Sequence, residues 1–223
     1  MDNSPAKECL FEYAAALDAG EFGLERAAAL YSAAITTSDA DLQEVVLSSC
    51  VRTEIPSDAL YEVLLQSYLF LGFPRMLQAA EIFHRIIHKG LPVQSTATPE
   101  VANIEEWTVR GESLCRRVYG DKYEPLRRKV EHMAPEIMQW MILEGYGKVL
   151  SRPSLHIVVR EVAIVACLMV ENHAPQLRAH INGALNIGAD RRLIETVVND
   201  LGAAFPRGWA TATDELRKAL QRQ

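Results

Sequence analysis

The residues best placed to do chemistry lie in and after one apolar run. Residues 157–170 (IVVREVAIVACLMV) are apolar nearly all round a helix, which predicts an interior position, yet the run contains Arg160 and Glu161. A buried carboxylate must either be half of a structural ion pair or handle protons, because desolvation otherwise disfavours its charged form. Beyond Glu171-Asn172-His173 the chain turns, and Pro175 opens a second helix on which Gln176 and His180 are four apart and so share a face. His173 stands at the start of that helix, where unpaired N–H groups and partial positive charge suit an anionic substrate group. His180 is the natural general acid or base, since imidazole titrates nearest neutrality. Taken alone, a histidine on a helix is better read as a satisfied structural residue.

The elements that must position these groups read as helices. Apolar residues recur at helical spacing through most of the 223 residues, and alternating β-branched runs closed by Asn-Gly or Asp-Gly turns are nearly absent, so the fold class is all-α. Amphipathic helices are predicted over 24–35, 42–51 and 58–71, the last stopping near Gly72, and Pro74, Pro175 and Pro206 each mark a helix start. Shifting the chain by 133 residues sets Leu60, Glu62, Leu64 and Leu65 over Leu193, Glu195, Val197 and Val198, and a shift different by one residue pairs Phe73-Pro74 with Phe205-Pro206. The expected organisation is two related helical modules, 1–91 and 111–223, joined by a linker over 92–110. The Pro-, Ser- and Thr-containing stretch Lys89 to Thr98 is the best linker text.

Residues 146–206 resemble the carboxymuconolactone decarboxylase family, which includes the alkyl hydroperoxidase D-type proteins. The resemblance rests on Tyr146-Gly147-Lys148-Val149, Ser151-Arg152-Pro153, Arg160-Glu161, and above all the string from Leu177 to Gly188 (LRAHINGALNIG). It implies an alkyl hydroperoxidase D-like helical bundle. In the hydroperoxidase branch a Glu, a CxxC pair and a His form a proton relay; Glu161 and His180 match the first and last, whereas the cysteine positions fall on His173 and Gln176. Neither can cycle through a sulfenate and a disulfide, so the resemblance is to the decarboxylase branch. It implies cofactor-free acid–base decarboxylation, or a related reaction, of a small anionic lactone or ring acid. His180 would deliver the proton, Glu161 would orient it, and His173 would hold or polarise the substrate. Gln176 would add a polar contact, with Arg160, Arg152 and Arg178 as candidate carboxylate clamps. The first module looks like a degenerate copy, with Ala28, Ala40, Gln43 and Leu47 opposite Glu161, His173, Gln176 and His180. Single-module family members form trimers or hexamers, so self-association is expected. Two alternatives stand beside this reading: a hydroperoxidase-like antioxidant working through unpaired Cys167 or Cys50, and a non-catalytic helical assembly or ligand-binding protein.

Composition narrows the remaining classes. With 23 Lys+Arg against 29 Asp+Glu the chain carries a formal charge of −6 and lacks the basic stripe that nucleic acid demands. No apolar run reaches the roughly 20 residues of a membrane span, and residues 1–8 lack a basic, apolar leader, so a cytoplasmic protein is expected. Cys9, Cys50, Cys115 and Cys167 form no CxxC pair. Glu81, His84 and His88 share a helix face, but a dinuclear site would need a second Glu-x-x-His, so no metal is expected. No nucleotide-binding glycine motif appears, and no organic cofactor is expected. Trp107, Trp140 and Trp209 are read as core or subunit-contact residues.

Overall fold

The structure, a computed structural model, describes residues 5–18, 20–91 and 104–221. It is all-α, and no strand occurs among the described residues. The helices are α1 (Pro5–Ala15), α2 (Gly23–Thr37), α3 (Ala40–Arg52), α4 (Ser57–Ile87), α5 (Ile104–Tyr119), α6 (Tyr123–Met133), α7 (Pro135–Trp140), α8 (Ile157–Val170), α9 (Ala174–Asn186), α10 (Arg191–Gly202) and α11 (Pro206–Leu220). A short 3₁₀ turn, Gly120–Lys122, precedes α6, and a π-helical segment, Met141–Leu150, follows α7.

At the centre, α2 packs along α8. The composition of α2 explains the pairing: Ala27, Ala28, Ala29, Ala33 and Ala34 are all buried, and their small side chains let the backbone of α8 come close. The Ser32 hydroxyl donates across the contact to the Ala163 carbonyl at 2.7 Å, which satisfies a polar group that burial would otherwise penalise. Helices α3 and α4 cover the other side of α2, while α9 and α11 cover α8. The capping carboxylates Asp39 and Asp190 accept from the first-turn N–H groups of Leu42 and Arg192 and fix the starts of α3 and α10.

Helices α8, α9 and α10 begin at 157, 174 and 191, each 134 residues after the starts of α2, α3 and α4 at 23, 40 and 57. Helix α4 is bent where the sequence predicts a stop and a restart. Gly72 adopts φ 73°, ψ 168°, and Pro74 opens the second limb. Helix α5 begins at Ile104, so residues 104–110 of the expected linker are helical; residues 92–103 of that linker lie outside the described residues.

Helix α5 and the π-helical segment pack with almost no separation. A Cβ on Gly111 would lie 2.0 Å from the Ile142 carbonyl oxygen, and one on Gly147 would lie 2.1 Å from that of Trp107. Only glycine permits this crossing, which sets the inner wall of the cleft described next.

Candidate active site

The two ionic residues of α8 take separate partners. Arg160, fully buried, sends Nη2 to Glu62 Oε2 at 2.8 Å and to the Arg152 carbonyl at 3.1 Å. Arg152 reaches the same Glu62 carboxylate with Nε and Nη2 at 2.9 to 3.1 Å. Gln66 Nε2 closes the cluster by donating to the Arg160 carbonyl at 3.1 Å. Burial alone would raise the Glu62 pKa, but hydrogen bonds from Arg152 and Arg160 outweigh it and hold the carboxyl below its ordinary value. This cluster ties α4 to α8 and is structural. Arg152 and Arg160 are therefore not free carboxylate clamps, because their guanidinium groups already hold Glu62.

Glu161, the next residue, has no guanidinium. Its Oε2 lies 2.8 Å from His180 Nδ1, and both residues are buried, at 0% and 7% exposure. An ionised carboxylate only accepts, so Nδ1 carries the proton and donates, which leaves Nε2 for the cleft that the His180 ring lines. Glu161 Oε1 is buried and meets no hydrogen-bond donor among the described residues. The left-handed Asn172 (φ 54°) turns the chain between α8 and α9 and brings His180 back onto Glu161. Phe70 of α4 meets the His180 ring edge to face at 5.8 Å and limits its rotation.

The cleft above His180 has a volume of about 250 Å³. Leu69, Phe70, Ile137, Trp140, Met141 and Leu150 give it apolar walls, and its other polar side chains are Tyr119, Tyr146 and Glu144. Tyr119 and Tyr146 meet edge to face with ring centres 6.2 Å apart. Burial pushes the Tyr119 phenol up to about 12 and Tyr146 well above its ordinary value, so both are hydroxyl donors at neutral pH. At the rim, Tyr68 donates to Glu144 Oε1 at 3.0 Å. Five cleft residues, Met141, Glu144, Gly145, Tyr146 and Leu150, come from the π-helical segment, whose wider turn changes which side chains share a face.

The remaining expected site residues do not join this cleft. His173 is 58% exposed and stands 3.8 Å from Glu171 Oε2, while Gln176 is also exposed. Arg178 is exposed beside Lys122, Lys129 and Glu215 in a separate groove between α6, α9 and α11. Trp140 and Trp209 are exposed rather than core residues, and Trp140 forms part of the cleft mouth. Cys50, Cys115 and Cys167 are buried, and burial pushes their thiols up to about 12, 12 and 11, away from thiolate reactivity at neutral pH. His84 Nε2 lies 2.8 Å from the Leu91 carbonyl, which occupies that nitrogen of the weighed Glu81–His84–His88 face.

No sequence motif marks Phe70, Tyr119, Trp140, Glu144 or Tyr146 as site residues, or Glu62 as the partner of Arg160. A usable signal existed for Glu62: a cation as deeply buried as Arg160 requires a carboxylate. None existed for the cleft walls, because a helical wheel at 3.6 residues per turn misassigns faces in a π-helix.

No family model matches the chain. A Schizosaccharomyces pombe (strain 972 / ATCC 24843) protein named Peroxisomal protein 2 is 27% identical over 141 residues, which cover 63% of this chain and 65% of that protein. The match thus spans less than two thirds of the relative's length.

Proposed function

We propose that this chain is a carboxymuconolactone decarboxylase-like enzyme performing cofactor-free acid–base chemistry, decarboxylation or a related proton transfer, on a small ring compound. The observation that carries the reading is the Glu161–His180 pair beneath an apolar cleft. Held by Glu161 at Nδ1, His180 offers Nε2 as base, and as acid once protonated; the carboxylate fixes the tautomer and stabilises the imidazolium that forms. Apolar walls exclude competing water and accept a ring. The motif resemblance of residues 146–206 and the common 134-residue spacing of helix starts support a duplicated module with chemistry confined to the second copy, since at that spacing Ala27 and Val46 stand opposite Glu161 and His180. The buried, raised thiols favour this reading over a thiol-based hydroperoxidase.

Self-association as a trimer or hexamer belongs to the same proposal, supported by the exposed apolar side chains Phe73, Leu77, Trp140 and Trp209. Light scattering coupled to size exclusion tests it. No described helix is long and apolar enough to cross a membrane. Cytoplasm and, from the relative's name, peroxisome are the two proposed locations, which fractionation separates.

The deciding experiment screens small lactones, ring acids and ring ketones for turnover or exchange of carbon-bound protons. His180→Gln and Glu161→Gln should each lower the rate by about a hundred-fold or more. Unchanged turnover in His180→Gln would overturn the acid–base reading.

A further inference from the structure

The polar groups of the cleft are unequal in sign. No Arg or Lys lines it among the described residues, and Arg152 and Arg160, the sequence's candidate clamps on and before α8, are spent on Glu62. The charged side chain that does line it is Glu144, held in place by Tyr68. A carboxylated ligand would therefore leave water for an apolar cavity, meet no cation and face a carboxylate. Against this stand two phenols on the same wall. Tyr146 is buried and packs edge to face against Tyr119 with ring centres 6.2 Å apart, while Tyr119 is only half-buried and lines the cavity.

Resting on the proton-transfer arm of the acid–base reading above, and setting it against the decarboxylation arm, we propose that the cleft takes a neutral ring compound bearing a carbonyl oxygen, with Tyr119 donating to that oxygen and Glu144 excluding carboxylated analogues. The step consistent with this ligand is proton transfer beside the carbonyl. His180 Nε2 takes a proton from the neighbouring ring carbon, the C–H electron pair moves into an enolate, and the enolate oxygen accepts the Tyr119 hydrogen bond. The imidazolium then returns the proton to the same carbon or to a conjugated one. Atoms and electrons balance without oxidant, reductant or loss of carbon dioxide. Tyr146 is a positioning residue, since its contact with Tyr119 sets where the Tyr119 hydroxyl points.

The test uses three probes of one shape, indane, indanone and an indane carboxylate, titrated against the full chain by ligand-observed NMR. Indane and indanone should bind, and the carboxylate should bind at least about ten-fold more weakly than indanone, recovering in Glu144→Gln. Tyr119→Phe should weaken indanone about five-fold and leave indane unchanged, the unchanged arm showing that the cleft is intact. Tighter binding of the carboxylate than of indanone, equal weakening of indane and indanone in Tyr119→Phe, or binding of none of the three would overturn the inference. A separate measurement in deuterated water follows exchange of the protons beside the indanone carbonyl, which His180→Gln should abolish. Binding as expected with no exchange in the native chain would sink the acid–base reading while leaving the ligand class standing. Exchange with the wrong binding order would do the reverse.

Discussion

Arg160 and Glu161 are neighbours on α8, and both are completely buried, yet they belong to regions built on opposite principles. Around Arg160 every group has an answer: Glu62 receives two guanidinium groups, Gln66 bridges the backbone, and the Leu155 carbonyl accepts from Arg160 Nε at 3.3 Å. Around Glu161 the accounting is incomplete. One carboxylate oxygen meets no donor among the described residues, the histidine on the other lines a cavity, and the groups that feel its charge include two phenols and a thiol. A satisfied buried cluster holds two elements together; an unsatisfied one stores polarity that a ligand or a proton can use. The contrast teaches that burial of a charge does not by itself distinguish structure from function. The inventory of partners does.

That contrast can be broken at four places, from the largest effect down. Glu62→Ala leaves Arg160 buried and uncompensated, and should cost about 3–5 kcal/mol by chemical denaturation, with loss of the α4–α8 contact. The pH dependence follows from the same residue. Because Glu62 titrates below its ordinary range when folded, its stabilisation is complete above the ordinary carboxylate range and is lost as pH falls through the folded value. The melting temperature should therefore drop in acid, and Glu62→Gln should flatten that limb. If the acid limb were unchanged in Glu62→Gln, the structural role would lie elsewhere.

Second, His180→Gln should remove proton-transfer activity by about two orders of magnitude while shifting stability by less than about 1 kcal/mol, the inverse of the Glu62 pattern. Comparable losses of stability in the two variants would erase the distinction between the regions. Third, Gly183→Ala sharpens it: the added Cβ would meet Val118 Cγ1 at 2.7 Å and Glu161 Oε2 at 3.3 Å. A cost of about 1–3 kcal/mol is expected, with activity falling because Glu161 is displaced. Fourth, the thiols report burial directly. In the folded chain at mildly alkaline pH, Cys9 alone should react with an aromatic disulfide reagent, and Cys50, Cys115 and Cys167 should follow only on unfolding. Fast reaction of Cys115 in the native state would place solvent beside Glu161.

Much of this architecture was legible in the chain. The helices of 24–35, 42–51 and 157–170 fall within α2, α3 and α8, and the break at Gly72 and the starts near Pro175 and Pro206 lie where proline and glycine chemistry puts them. The pairing of Glu161 with His180 was also an expectation from motif and spacing. Less legible was the fate of Arg152 and Arg160. Both were candidate clamps for a substrate carboxylate, because guanidinium groups bind carboxylates wherever they are found. The partner is Glu62, 98 residues before Arg160, and the repeat pattern singles out Glu62 only as a match to Glu195. His173 and Gln176 share a face with His180 at helical spacing, but they lie nearer the start of α9, in solvent.

The division has a physical cause. Helix class, helix ends and the interior position of 157–170 follow from interactions within a few residues: periodicity, backbone restriction by Gly and Pro, and the cost of exposing a continuous apolar surface. Those the sequence determined alone. Which buried charge is neutralised, which imidazole nitrogen remains open and which side chains wall the cleft depend on groups brought from α4, α5 and the π-helical segment to meet α8 and α9. Such choices are made by close packing across the fold, where a shift of one residue in a helix exchanges a donor for a methyl group, and only the tertiary structure decides them.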